Sequence, residues 1–173
     1  MLTPEDREAV VAPMRAIRII IFSLLAGPLA FLTFVLMQPT EEPPREGSMA
    51  LMAAGFAVVQ VVLAIVVPRI IEQQHRRAIV EGRPLATNVP APTSDAQGLL
   101  AGLQMRRIIS AALLESAVFF NIVTYQSERA PYTLAILLLL LLGIAMLFPL
   151  RSFVEDWLDR ELRTVNELRA MGR

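Results

Sequence analysis

The chain reads as an all-α integral membrane protein: four transmembrane helices built as two related hairpins, with an amphipathic helix after them. Three observations predict this. Hydrophobic residues make up 55% of the 173 residues and mean hydropathy is +0.54, above the roughly 45–50% apolar content of an ordinary soluble domain. That content is gathered into four blocks of bilayer-spanning length rather than spread at helix or strand period. Most charged residues fall between and beyond the blocks, with arginine concentrated in the middle loop and the C-terminal segment.

Charge and composition exclude several functions. Sixteen basic residues balance sixteen acidic ones, so no bulk basic field points to nucleic acid. Cysteine is absent, which removes disulfides, Cys-ligated zinc and thiol catalysis together. Lysine is also absent, a bias that GC-rich coding produces and that points to a bacterial source. No Ser/His/Asp set, metal cluster or glycine-rich phosphate loop is present, and one histidine cannot supply a base inside the membrane. The chain is expected to be no enzyme and to hold no cofactor or metal.

Residues 1–16 form an N-terminal cytoplasmic segment. Thr3 can cap a helix, with Pro4 at its first position and Glu5 and Asp6 in its first turn, and Pro13 is expected to kink or break it. The first hairpin covers 17–67. Its first span runs from about Ile17 to Met37 with Gly27-Pro28 as a kink, and its second from about Met49 to Val67. Ala50, Ala53, Ala54, Gly55 and Ala57 give that second span a small-residue face that a neighbouring helix can approach. Pro68 marks the water boundary, and residues 68–98 form a cytoplasmic loop whose stretch from Val80 to Thr93 is an extended linker.

The second hairpin covers 99–148. Ser94 caps its leading helix with Gln97 at the capping-box position. The helix runs into the third span past Arg106 and Arg107, and a turn at Glu128–Pro131 leads to the fourth span, Tyr132–Phe148. Within 149–173, Phe153, Val154, Trp157, Leu158, Leu162, Val165 and Leu168 recur at helical spacing, so Arg151 to about Met171 is a cytoplasmic amphipathic helix. Asp156–Arg160 and Asp159–Arg163 can pair across one turn of it.

The halves align without gaps from Arg18-Ile-Ile onto Arg107-Ile-Ile, Leu24-Leu25 onto Leu113-Leu114, and Phe31 onto Phe120. Two hairpins related by an axis along the membrane normal follow. Arginine placement sets both termini and the middle loop in the cytoplasm, in a bacterial inner membrane.

Glu115 is the residue that needs an explanation. A carboxylate in a span costs roughly 2.5–3.5 kcal/mol on insertion scales, and this one lies about eight residues past Arg107, roughly 12 Å into the hydrocarbon. Gln60 lies at similar depth on the antiparallel second span, counted from Pro68, and Ser116 stands beside the acid. One reading is a protonated Glu115 bonded to Gln60 as glue between helices. The other is ion handling. Ala112-Leu113-Leu114-Glu115-Ser116-Ala117-Val118-Phe119-Phe120 resembles the carboxylate helix of the rotary ATP synthase proteolipid, the c subunit. That resemblance covers about twenty residues. It implies proton or sodium binding by Glu115 with Gln60 and Ser116. The family's glycine-repeat helix is absent, and the linker, two further spans and the terminal helix are additions.

The remaining polar residues have simpler readings. His75 is expected in solvent. Thr33 and Asn121 share a depth at which they could bond across helices, although hydroxyls usually bond their own backbone. Tyr125, Tyr132 and Trp157 suit interfacial anchoring. Phe153, Trp157, Leu158, Leu162 and Val165 offer an apolar stripe that can lie on the membrane, pack on the bundle or contact a partner. Two functions follow: a non-catalytic accessory or scaffold component in the lipid bilayer, contacting copies of itself or a larger complex, or a small proton- or sodium-binding protein.

Overall fold

The computed structural model describes residues 4–39, 47–81 and 94–171, with backbone alone for 4–10 and 12. Five helices follow in order: α1 (Pro4–Met37), α2 (Ser48–Val80), α3 (Asp95–Glu128), α4 (Pro131–Met146) and α5 (Arg151–Met171). No strand occurs among the described residues. Pro13–Met37 of α1, α2 and α3 are each long and apolar enough to cross a membrane, whereas α4 reaches that criterion only with α5, across a bend of 63°. The reason is length. The 16 residues of α4 extend about 24 Å, short of a hydrocarbon layer of about 30 Å. Three to four apolar helices are therefore candidates to span.

Contacts divide the chain into two units, and helices α1 to α3 contribute to both. The apolar unit comprises Ile19–Val67 and Ile108–Phe148. Its hub is α3. Phe119 meets Phe31 of α1 with ring centroids 5.9 Å apart, and Phe120 meets Phe56 of α2 edge-on at 5.2 Å. Leu114 reaches α4, its Cδ1 standing 3.4 Å from where a Cβ on Gly143 would be. Ala50, Ala53 and Ala57 are buried, so the small-residue face of α2 admits the chain's own α3. Gly55 faces open space.

The turn after α3 does more than reverse the chain. Glu128 is buried, and its carboxylate accepts from the Met49 and Ala50 backbone N–H groups at 3.0 and 2.8 Å. These donors have no partner within α2, so a carboxylate here satisfies them and complements the positive end of the helix. Arg129 then adopts φ 54°, and α4 starts with Pro131 at its first turn and the Thr133 hydroxyl bonded to the Ala130 carbonyl at 2.6 Å.

The second unit gathers the described parts of Met1–Arg18, Pro68–Arg107 and Pro149–Arg173. Its core joins Met14, Ile79, Leu99, Leu100 and Leu103 to the α5 stripe, where Val154, Leu158 and Val165 are fully buried. Arg169 fastens the far end of α5. Its guanidinium takes both Asp95 carboxylate oxygens at 2.6 and 3.0 Å and donates to the Ile79 carbonyl at 2.9 Å.

Several expectations change. Pro13 does not break α1, which is one helix from Pro4, and α2 continues through Pro68 to Val80. The Ser94 cap is made, Gln97 N–H donating to its hydroxyl at 3.3 Å. The Asp159–Arg163 pair forms at 2.7 Å; Asp156–Arg160 does not, and Arg151–Glu155 forms instead at 2.7 Å. The Thr3 cap and most of the linker lie outside the described residues.

Replacing Glu128 by Ala leaves the buried Ala50 N–H and the part-buried Met49 N–H without their acceptor and is expected to cost about 1–3 kcal/mol. Thermal unfolding of the detergent-solubilised protein measures it. Gly47→Ala should lower the midpoint as well, because its Cβ would overlap the Glu128 carboxylate.

Candidate functional site

In the apolar unit, α3 supplies the polar side chains that meet its neighbours. Ser110 is buried, and its hydroxyl donates to the Ala64 carbonyl of α2 at 2.9 Å. Asn121, fully buried, donates to Ala117 O at 2.8 Å and to Ala53 O of α2 at 3.5 Å. These contacts share one antiparallel register, which sets Gln60 opposite Leu114, next to Glu115 in sequence.

A shared level does not give a shared direction, however. Leu114 turns toward Gly143 of α4, whereas Glu115 turns toward α1. Its Oε1 lies 4.0 Å from where a Gly27 Cβ would stand, with the Phe119 ring edge 3.9 Å from that point. No hydrogen bond joins Gln60 to Glu115, and Gln60 Oε1 is enclosed without a partner among the described residues. Ser116 is exposed and donates to Leu113 O of its own helix at 2.7 Å. The three residues singled out from sequence therefore do not converge. Successive residues on a helix point about 100° apart, so a residue at the right height can still face another neighbour. Thr33 and Asn121 do not bond each other either, since Thr33 donates to Leu29 O at 2.8 Å.

A cleft of about 530 Å³ runs between α2 and α4 over α3. Its walls are apolar, with Ala54, Ala57 and Gly143 as small residues and Val58, Val62 and Leu139 at the exposed rim.

The α5 stripe has a different fate. Leu158 and Val165 are fully buried and Trp157 and Leu162 pack against the same core, so most of the stripe is occupied by the chain itself. Phe153 remains 55% exposed. Trp157 also borders a cavity of about 20 Å³ lined by Glu72, His75, Arg76, Gly102, Arg106 and Glu161. Arg106 pairs with Glu72 at 2.6 Å, and Arg76 with Glu161 at 2.9 Å and Glu72 at 3.8 Å. His75 is not the solvated residue expected. Its Nε2 is enclosed without a partner among the described residues, and its ring lies 3.1 Å from where a Gly102 Cβ would be.

Sequence reasoning missed Ser110, Glu128 and this role of His75. For Ser110 a signal was present: Pro68 has no N–H, so the carbonyl four residues earlier, Ala64, lacks its helical donor. Among the described residues, no group of three or more His, Cys, Asp or Glu could hold a metal ion. No protein-family model matches the chain, and neither curated proteins nor solved structures give a match.

Burial holds His75 below its ordinary value of 6.5, so the folded unit favours the neutral ring. The stability this contributes is complete above the unfolded value, about 6.5, and is lost as pH falls through the folded one. Acidification should therefore loosen α5, read by emission of Trp157, the only tryptophan. His75→Gln should flatten that pH dependence.

Proposed function

We propose that this chain is a non-catalytic integral protein of the bacterial cytoplasmic membrane, an accessory or scaffold component of a membrane complex. It has four spans as two repeated hairpins, with both termini cytoplasmic. The observation that carries this reading is where the polar groups of the apolar unit go. Ser23, Thr33, Ser110, Ser116, Asn121, Thr124 and Thr133 each donate to a backbone carbonyl. Ser110 and Asn121 join α3 to α2 in this way and the others are occupied within their own helices, whereas a reaction centre needs several such groups converging on one point. The orientation is supported by Arg69, Arg76, Arg77, Arg106 and Arg107 and by Arg151, Arg160, Arg163 and Arg169, all in the polar unit.

With most of the α5 stripe covered internally, contact within the plane of the membrane is favoured. The α2–α4 cleft suits it, since small residues on its walls let a helix of a second copy approach closely. The absence of native cysteine makes the test clean. Single cysteines at Val58 and Leu139, 64% and 70% exposed, are expected to cross-link between copies in native membranes, and Val62→Trp to abolish the product. Uniform monomer at both positions would remove lateral self-contact.

A second reading has its own observation. Gln60 Oε1 is enclosed without a donor among the described residues, and the Glu115 carboxyl reaches toward Gly27 of α1. In this reading the protein binds or translocates protons or sodium through Glu115, with Gln60 and Ser116. Dicyclohexylcarbodiimide should then modify Glu115, with protection by protonation state or sodium. Resistance at every pH, together with a silent Glu115→Gln variant, would end this reading.

A further inference from the structure

We propose that Glu115, in its protonated form, donates a hydrogen bond to the Leu24 carbonyl of α1, forming a proton-dependent latch between α1 and α3. The inference deepens the proton-binding reading and rests on it, but names a partner other than Gln60 and Ser116.

The argument begins with proline chemistry. Pro28 lies inside the continuous helix α1, and without an N–H it leaves the carbonyl four residues earlier, Leu24, lacking its helical donor. Pro28 is buried, so this carbonyl lies on the packed side of α1, where lipid offers no donor. The chain already contains one worked instance of the same problem. Pro68 deprives Ala64 of its donor, and the Ser110 hydroxyl of α3 supplies it at 2.9 Å. On the α1 side the polar side chain that α3 presents is Glu115, its Oε1 4.0 Å from the Cβ position of Gly27, in the turn between Leu24 and Pro28.

Direction and height agree. Cα–Cβ bonds tilt toward a helix N-terminus, so the Glu115 carboxyl drops toward the preceding turn, while the Leu24 carbonyl points up its helix toward Pro28. The contacts of Gly27 with Glu115 and of Phe31 with Phe119 run in the same sequence order, so α1 and α3 are parallel here. Gly27 adds no side chain between the two groups. A carboxylate cannot donate and would face the carbonyl oxygen unfavourably; the neutral acid carries the one hydrogen this carbonyl lacks. Losing that proton therefore releases the contact, and gaining it closes the contact.

Infrared difference spectroscopy of the full-length protein in lipid tests this. The acid C=O band lost in Glu115→Gln should titrate with pH. In Pro28→Ala, where an N–H again serves Leu24, the band should shift to the frequency of a free acid, and proton affinity should fall about tenfold. A titrating band that Pro28→Ala leaves unmoved overturns the latch and keeps the proton reading. No titrating Glu115 band overturns both. Should Pro28→Ala not fold, two other variants decide. Glu115→Gln, whose amide can still donate, should retain thermal stability at all pH values, and Glu115→Met should lose it. Equal or greater stability of the Met variant overturns the proposal.

Discussion

A carbonyl stripped of its donor inside an apolar layer is the constraint around which the apolar unit is organised. Pro68 creates one at Ala64, and only a polar side chain of another helix can answer it, because the apolar surroundings have nothing to donate. Ser110 answers it, and that single bond fixes the height of α2 against α3. Asn121 repeats the register about three turns on, at Ala53, and Glu128 completes it by holding the α2 N-terminus. A helix that must serve others this way has to be central and cannot be wholly apolar. Of the three candidate spans α3 has the lowest hydropathy, 1.7 against 2.5 and 2.6, and the most buried window, 39% against 22% and 17%.

The polar unit obeys a different balance. Its ion pairs are mostly half-exposed, and such pairs contribute on the order of 0–1 kcal/mol each. Full burial of Val154, Leu158 and Val165 contributes about 1.5–3 kcal/mol per side chain, so the apolar stripe holds α5 and the charges select its register. Arg169 is the exception. Its fork on Asp95 also reaches a carbonyl in the last turn of α2, which ties three helices with one side chain.

The helices were legible in the sequence because hydrophobic blocks and caps are local signals. Ser94 with Gln97, and the α5 stripe from Val154 to Val165, are set by residues a turn or two apart. Direction is not local. Gln60 and Glu115 share a height that counting from Pro68 and Arg107 recovers, yet no hydrogen bond joins them and Glu115 turns toward α1, and only packing decides that. Glu128 read as part of a turn because its partners, Met49 and Ala50, lie 79 and 78 residues away. His75 read as solvated because α5, which encloses its surroundings, joins from the far end of the chain. The prolines were treated as places where helices stop or bend. In an apolar setting each is better treated as a request for a donor, a rule that flags the Ala64 carbonyl, the acceptor of Ser110, from the sequence alone.

That rule also recasts the likeness between the halves. In the ungapped match Ala26 stands at the position of Glu115, and Gly27-Pro28 at Ser116-Ala117. Since α1 and α3 run parallel where they touch, matched positions lie at nearly one depth, and two identical helices would bring like groups together. Two acids would repel when ionised, and two proline-freed carbonyls would compete for a donor neither has. The halves instead differ at this level in a complementary way: one gives up a side chain and an N–H, and the other carries the acid. The difference between the two matched stretches, more than their similarity, is what sets a glycine of one helix against the acid of the other.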